Sequence, residues 1–353
     1  MIDKYLFIVN GRFLTQKMTG VHRYAYEMCC AFKRAEIHFL VVAPKKILAD
    51  YEICFDLETC GISTSHIWEQ IELPIYLNKK YKNHLLISLT GLGSVFYKKM
   101  ICTIHDISYL IHPEWFSKSY YYVYKWLTPI TAKRALKVIT VSEFSKEEIN
   151  SRLNVSKEKI IVIYNAVTSK VILNKKQQIS PDKFVLTVSS LDPRKNFKRL
   201  IQAYNLLNNK NCKLYIIGKK DKVFRNINFE GLENNPNIVF TGYVTDEQLA
   251  QYYSEASLFV YPSLYEGFGI PNLEAMMNMC PVVISDIPPH KEVCGSAAVY
   301  FNQYDVKDMA DKISYVLNNN DLQKNMIQRG KERASLFSWD KSANKLVTLI
   351  KEL

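Results

Sequence analysis

The sequence predicts an α/β protein made of two doubly wound parallel sheets of similar size. Three observations predict it. Short apolar, β-rich runs alternate with longer helical stretches, as in strands buried on both faces. The alternation stops in a polar, Lys/Gln-rich stretch at 168–183 and then restarts. A chain of 353 residues also matches two domains at roughly 100–200 residues each.

In the first half, strands are expected at 5–10 (YLFIVN), 38–43, 85–89, 100–106, 137–142 and 160–165. Helices are expected between them, at Val21–Lys33, Ser119–Ala135 and 142–154. The last of these opens on a cap at Ser142 or Ser145 with acids in its first turn. In the second half, strands are expected at 184–190, 213–218, 237–242, 258–263, 281–286 and 297–301. The expected organisation is a first domain over 1–170, a linker over 171–183, a second domain over 184–338, and a helix over 339–353 packing back toward the first domain. Ligands of such sheets gather at the carboxyl ends of the strands, so both domains are expected to line one cleft.

Composition limits the partners. The formal charge is +12, with 46 basic and 34 acidic residues. Residues 1–170 hold 23 basic and 15 acidic side chains, a net of +8, so the excess leans toward the first half. Such an excess invites an anionic partner. Only 10 of the basic residues are Arg, the residue suited to bidentate phosphate and base recognition. No zinc-finger spacing or RNA-binding aromatic motif accompanies them, and no nucleic-acid partner is expected. The eight Cys form no C-x-x-C pair and read as buried thiols of a reducing compartment. No apolar run approaches the ~18 residues of a spanning helix. The expected location is cytoplasmic, at most peripheral on the inner face of the membrane.

The segment FVYPSLYEGFGIPNLEAMMNMCPVVISD, 259–286, reads as strand, turn, helix and strand. Gly267 and Gly269 free the turn, and Pro271 suits a first helical turn. A helix starting there presents unpaired N–H groups and a positive dipole end, suited to phosphate or sugar hydroxyls. Glu266 stands on the loop and Glu274 in the first helical turns. They address parts of one ligand, or else Glu274 caps the helix and Glu266 is solvated.

Glu266, Gly267, Phe268, Gly269, Ile270, Pro271 and Glu274 resemble, position by position, the Glu-x-Phe-Gly-x-Pro signature of glycosyltransferase family 4. The resemblance implies a GT-B fold and a retaining, metal-independent transfer from a nucleotide sugar. By it, Glu274 holds the donor's ribose hydroxyls and Glu266 faces the transferred sugar. The amides around Phe268–Ile270 touch the sugar hydroxyls and diphosphate.

VSSLDPRKNFKRLIQAYNLL, 188–207, follows a strand and opens a helix. Arg194 and Lys195 in its turn can clamp a diphosphate and stabilise it as it leaves. Cations at a helix N-terminus oppose the dipole, a mismatch expected when an anion lies between them. The segment resembles the family's phosphate-binding loop, with Ser189–Ser190 where many members have Gly-Arg, and with the Pro-Arg-Lys-Asn of a subgroup. Ser190 thereby joins the donor-binding residues. Tyr243, after Gly242, stands where the family lays the nucleotide base; it flanks the base or merely ends a strand.

In the first half, Gly20 opens a helix after the first strand and resembles the family's Gly-rich first loop, on the donor side. Arg23, one turn on, faces either the acceptor side or the surface, and Arg12 is a further basic candidate. His105–Asp106 ends the strand ICTIHD. By resemblance His105 lines the site near the reacting sugar and acceptor hydroxyl, with Asp106 orienting its ring. WEQIELP, 68–74, also resembles the subgroup, without a physical role to assign.

The expected catalytic residues are thus Glu266, His105, Arg194 and Lys195, with no metal. No cofactor is expected, and no Asp-x-Asp motif is present. The donor expected is a nucleotide sugar, GDP-mannose in first place. Rhamnose or fucose, which share the Pro-Arg-Lys-Asn variant, stay open. The acceptor expected is an oligosaccharide or lipid-linked glycan of a bacterial surface polysaccharide. FSKSYYYVYKWLTPITAKRALK, 116–137, interleaves Tyr, Trp and Lys, and either docks on an anionic membrane or packs with its Lys outward. A nucleotide-sugar epimerase and a non-catalytic sugar-nucleotide-binding protein are the other classes.

Overall fold

A computed structural model describes residues 4–48, 52–168, 171–172, 183–207, 212–218, 229, 231 and 234–353. It divides into two compact units. The first comprises 1–110, 121–165 and 338–353; the second comprises 111–120 and 166–337. Most of the expected linker, 173–182, lies outside the described residues.

The first unit holds strands β1 (Phe7–Asn10), β2 (Phe39–Pro44), β3 (Leu57–Cys60), β4 (Leu86–Ser88), β5 (Met100–Thr103), β6 (Lys137–Thr140) and β7 (Ile160–Val162). They form one parallel sheet in the order β3-β2-β1-β4-β5-β6-β7. The register sets Ile8 opposite Leu40 on one side and Leu86 on the other. β1, β2, β4 and β5 are buried throughout, as a sheet covered on both faces requires. Phe7 meets Phe32 edge-on at 5.1 Å and stacks on Phe39 at 5.7 Å, packing the helix Gly20–Arg34 against the sheet. β3 was not expected. It is an edge strand with only Cys60 buried, and its Glu58 takes hydrogen bonds from Tyr76, Lys80 and Tyr81.

The helix Glu143–Leu153 starts at Ser142, whose hydroxyl accepts from Ser145 N at 3.0 Å, and ends on Asn154 in the left-handed region. The helix Lys118–Arg134 carries Pro129 inside it. The helix Trp339–Lys351 belongs to this unit. Arg34 Nη2 donates to Asp340 at 2.7 Å, Ser342 Oγ donates to the Tyr164 carbonyl at 2.7 Å, and Trp339 meets Tyr24 edge-on.

The second unit holds β8 (Lys183–Val188), β9 (Cys212–Ile217), β10 (Ile238–Gly242), β11 (Leu258–Tyr261), β12 (Val282–Ser285) and β13 (Val299–Phe301). They form a parallel sheet in the order β10-β9-β8-β11-β12-β13. One face is packed by Phe197, Leu200, Ile201 and Tyr204 of the helix Phe197–Asn205 and by Met309 and Ile313 of the helix Val306–Leu317. In both units the sequence order runs outward from the first strand to one side and then jumps to the other. The order therefore reverses between β1 and β4 and between β8 and β11, where the loops leaving the carboxyl ends part and open a crevice.

Cys29, Cys60, Cys102, Cys212, Cys280 and Cys294 are buried, as expected, but Cys54 is exposed and Cys30 half-buried. Their sulfurs lie 3.5 Å apart as free thiols. No helix among the described residues is long and apolar enough to cross a membrane.

Candidate active site

The β8/β11 crevice is built from two loops. After β8 the chain turns through Ser189 and Ser190 into a short 3-10 turn, Pro193–Lys195. Asp192 caps that turn: its Oδ1 accepts from Arg194 N at 3.1 Å, and its Oδ2 accepts from Ser190 Oγ at 2.7 Å. Asn196 follows in the left-handed region, φ 57°, and its side-chain amide donates to the Pro262 and Gln303 carbonyls. Leu264 N donates to the Arg194 carbonyl at 2.8 Å, which fastens the β11 loop to the β8 loop. These bonds fix where Arg194 and Lys195 point.

Lys195 Nζ donates to Glu266 Oε1 at 2.5 Å and to Tyr261 Oη at 2.9 Å. Both charges are buried, Lys195 at 5% exposure and Glu266 at 7%. The alternative of a solvated Glu266 is therefore excluded. Burial would raise the Glu266 carboxyl, but Lys195 and then Arg194 outweigh it and hold it down to about 2. Burial opposes the charge on Lys195 too, yet Glu266 holds its pKa above the ordinary value. The anion answering the cations at this helix start is a residue of the chain, Glu266. Arg194 Nε stands 3.7 Å from Asp192 Oδ1.

Beyond Glu266 the turn runs through Gly267 and a buried Phe268, which meets Phe337 edge-on at 5.6 Å. Gly269, at φ 93°, ends the turn. A Cβ there would lie 2.8 Å from Asn272 Nδ2 and 3.3 Å from the His290 ring, so the position takes only glycine. The helix Ile270–Met277 starts here with Pro271 in its first turn and no side chain capping it. Glu274 does not cap it: it sits in the second turn, where its Oε2 accepts from Tyr253 Oη at 2.9 Å. Tyr253 is buried and its phenol is held well above its ordinary pKa by burial and by Glu274, so it stays a donor. Tyr243, by contrast, is 77% exposed beyond β10, where Gly242 sits at φ 73°.

Sequence reasoning missed three supports of this site: Asp192, Tyr261 and His290. Tyr261 ends β11 and Asp192 follows β8, so the carboxyl-end rule alone marks both. His290 is fully buried. Its Nδ1–H donates to the Ser285 carbonyl at 3.0 Å, while Nε2 has no partner among the described residues. Burial lowers its pKa to about 4, so the ring is neutral.

In the first unit, His105 follows β5. Its Nε2–H donates to the Leu89 carbonyl at 3.0 Å, and its ring meets Tyr24 edge-on at 4.8 Å. Desolvation lowers its pKa, against the Leu89 bond and Asp106. The neutral tautomer that results leaves Nδ1 as an acceptor. Asp106 acts on the ring through its charge, while its Oδ1 accepts from Ser108 N and Oγ and starts the short helix Ser108–Ile111. Gly20 is the first residue of the helix Gly20–Arg34, and a Cβ there would meet nothing within 4 Å. Arg23, half-buried, lies one turn on, its N–H donating to the Thr19 carbonyl.

Two family models match successive parts of the chain: a glycosyltransferase family 4 model over residues 18–170, and a glycosyl transferases group 1 model over residues 169–333. The O-antigen chain mannosyltransferase RfbU of Salmonella typhimurium is 32% identical over 88% of this chain and 90% of its own. The O-antigen chain mannosyltransferase B of Escherichia coli is 31% identical over 72% and 71%. The crystal structure of WaaG, a glycosyltransferase involved in lipopolysaccharide biosynthesis, superposes with a TM-score of 0.76 at 14% identity, covering 98% of this chain and 99% of that one. The two sheets with their order reversals are the GT-B fold, and the chain belongs to the family 4/group 1 glycosyltransferases: it is a glycosyltransferase.

Proposed function

We propose that the enzyme moves mannose, with retention, from GDP-mannose to a hydroxyl of a growing bacterial surface glycan. The observation that carries this reading is the buried Lys195–Glu266 pair at the β8/β11 order reversal, beside Arg194 and an uncapped helix start. Cations fixed before the reaction begins lower the barrier by stabilising charge that develops on the departing diphosphate. Arg194 and Lys195 supply that charge here without a metal or cofactor. Glu266 pins the Lys195 ammonium and faces the transferred sugar. Glu274, oriented by Tyr253, takes the ribose hydroxyls, and Tyr243 flanks the base. His105 Nδ1 receives the acceptor hydroxyl. Mannose and the O-antigen context come from RfbU and its Escherichia coli counterpart.

The test is transfer from a panel of GDP, UDP and dTDP sugars to short mannosyl acceptors, followed by mass spectrometry. A hexose gained by the acceptor from GDP-mannose is expected. A nucleotide sugar altered with no acceptor present would make the protein an epimerase. Glu274→Gln should weaken GDP binding in calorimetry by about 1.5–3 kcal/mol, the range for a hydrogen bond to a charged group. Unchanged affinity removes Glu274 from the ribose site.

We further propose that the first unit docks on the anionic inner face of the cell membrane, bringing a lipid-linked acceptor within reach. Tyr122, Trp126 and Ile130 form an exposed stripe at four-residue spacing on the helix Lys118–Arg134, and Ile67, Ile71 and Ile75 form a second on the segment beside it. The edge-on contact of His66 with Tyr124 at 6.0 Å joins the two. Exposed Lys79, Lys125 and Lys133 border the stripes, a pattern fitting apolar insertion beneath acidic headgroups. Co-sedimentation with phosphatidylglycerol vesicles is expected, weakened by Trp126→Ser and by Ile71→Ser. Equal recovery with and without vesicles would overturn it.

A further inference from the structure

The first unit has an order reversal of its own, between β1 and β4, and a second buried cation–carboxylate pair stands at its mouth. Asn10, the last residue of β1, donates from Nδ2 to Ser88 Oγ at the end of β4, 3.2 Å, and to Glu69 Oε1, 2.8 Å. Its Oδ1 accepts from Arg12 N at 3.1 Å. Glu69 Oε2 then faces Arg12 Nε at 3.5 Å and His66 Nδ1 at 3.4 Å, and Arg12 Nη2 reaches back to His66 Nε2 at 3.5 Å. The three side chains close a ring. A guanidinium only donates, so His66 Nε2 accepts from Arg12 and its Nδ1–H donates to the carboxylate.

Glu69 is 1% exposed, whereas the Arg12 side chain is 10% and His66 36% exposed. The carboxylate forms the floor and the two cyclic or forked groups form the rim. Such a buried pair contributes little to stability compared with apolar residues of the same volume. A π-helical turn, Trp68–Glu72, holds it, and such turns concentrate at functional sites. The rest of that turn is anchored elsewhere: Trp68 Nε1 donates to the Cys60 carbonyl, and Gln70 clamps Gly93 and Val95. These bonds give the WEQIE sequence the physical role it lacked. Facing the carboxylate, Gly91 stands at φ 70°, and a side chain there would approach Glu69 Oε1 at 3.8 Å; its absence leaves that approach open.

We propose that Arg12, Glu69 and His66 form a binding subsite for a neutral pyranose, the sugar of the glycan acceptor that receives the transferred hexose. The proposal rests on the glycosyltransferase reading and adds the acceptor's chemistry to it. Arg12 and Glu69 offset each other in charge. What remains is fixed donors and acceptors within one hydrogen-bonded ring, which suit adjacent hydroxyls. Lining by few, convergent polar groups at a strand-order reversal is how small-molecule sites of α/β sheets are built. Glu69 is here a positioning residue: it orients the Arg12 fork, and Arg12 and His66 meet the sugar.

The test is saturation-transfer NMR of the full-length protein with methyl α-D-mannoside, methyl α-D-galactoside, methyl β-D-glucuronide and inorganic phosphate. GDP affinity is measured on the same samples by calorimetry. Transfer to at least one neutral glycoside is expected in the wild type. Glu69→Gln and Arg12→Lys should weaken that binding at least tenfold, with GDP affinity within twofold of wild type. Arg12→Lys keeps the buried charge paired, so a loss there reports the fork and not the fold; far-UV dichroism checks both variants. No neutral glycoside bound by the wild type, binding of glucuronide or phosphate alone, or glycoside binding unchanged in both variants would each overturn the proposal. Failure of GDP itself to bind would overturn the donor-site reading instead.

Discussion

In Lys195 an observed structural contact and a proposed chemical role fall on one side chain. Its ammonium touches Glu266 and Tyr261 and has almost no solvent around it. Lys195→Ala removes a preorganised cation, so turnover should fall by on the order of 100-fold or more. It also leaves Glu266 buried without its partner, which typically destabilises by about 3–5 kcal/mol. The double variant Lys195→Ala/Glu266→Gln separates the two effects. It should regain most of the lost stability in thermal unfolding and none of the activity. Recovery of turnover in that double variant would show that Lys195 serves the fold alone. The pairing itself was not legible in sequence, because its partners stand 71 residues apart and only the strand order brings them together. The Gly269 turn and the helix start after it were legible, because they lie within one short run whose residue types dictate its conformation.

At the scale of elements, the turn 267–269 and the helix Pro288–Cys294 meet through His290, held neutral by burial. Its folded pKa, about 4, lies below the ordinary 6.5, so the unfolded chain binds the proton first. The stability it contributes is complete above about 6.5 and is lost as pH falls toward 4. Between 6.5 and 4.5 that loss is about 2 kcal/mol, at 1.36 kcal/mol per fully titrating pH unit. Glu266, with its folded pKa near 2, adds a loss of the same sign only below about 4.5. Urea unfolding of His290→Gln at these two pH values should show a smaller drop than wild type. Parallel drops would mean that the ring is charged in the folded protein.

Over the whole molecule, the parallel α/β architecture was readable because its strands are apolar runs punctuated by turns. β3 escaped because an edge strand needs no such run: Leu57–Cys60 keeps Glu58 for solvent-side hydrogen bonds. The segment 111–120 belongs with the second unit, yet no change of composition marks it. The acceptor-side ring of Arg12, Glu69 and His66 was unreadable for the same reason as the Lys195 pair. Arg12 and Glu69 stand 57 residues apart, brought together where the Trp68–Glu72 turn meets the end of β1. Membrane docking, if governed by the Lys-bordered stripes, should weaken as salt rises toward 0.5 M, because screening shortens the reach of each charge.

The placement of the helix Trp339–Lys351 in the first unit has a consequence for synthesis. Trp339 packs on Tyr24, whose ring in turn meets His105. On the ribosome the polypeptide presents residues 1–165 first, yet that unit waits for its closing helix until the whole of the second unit has been made. The second unit, contiguous from 166 to 337 apart from 111–120, can therefore mature while the first still lacks a piece. A nascent chain stalled at residue 337 should hold a protease-resistant second unit and an N-terminal part that is still cut.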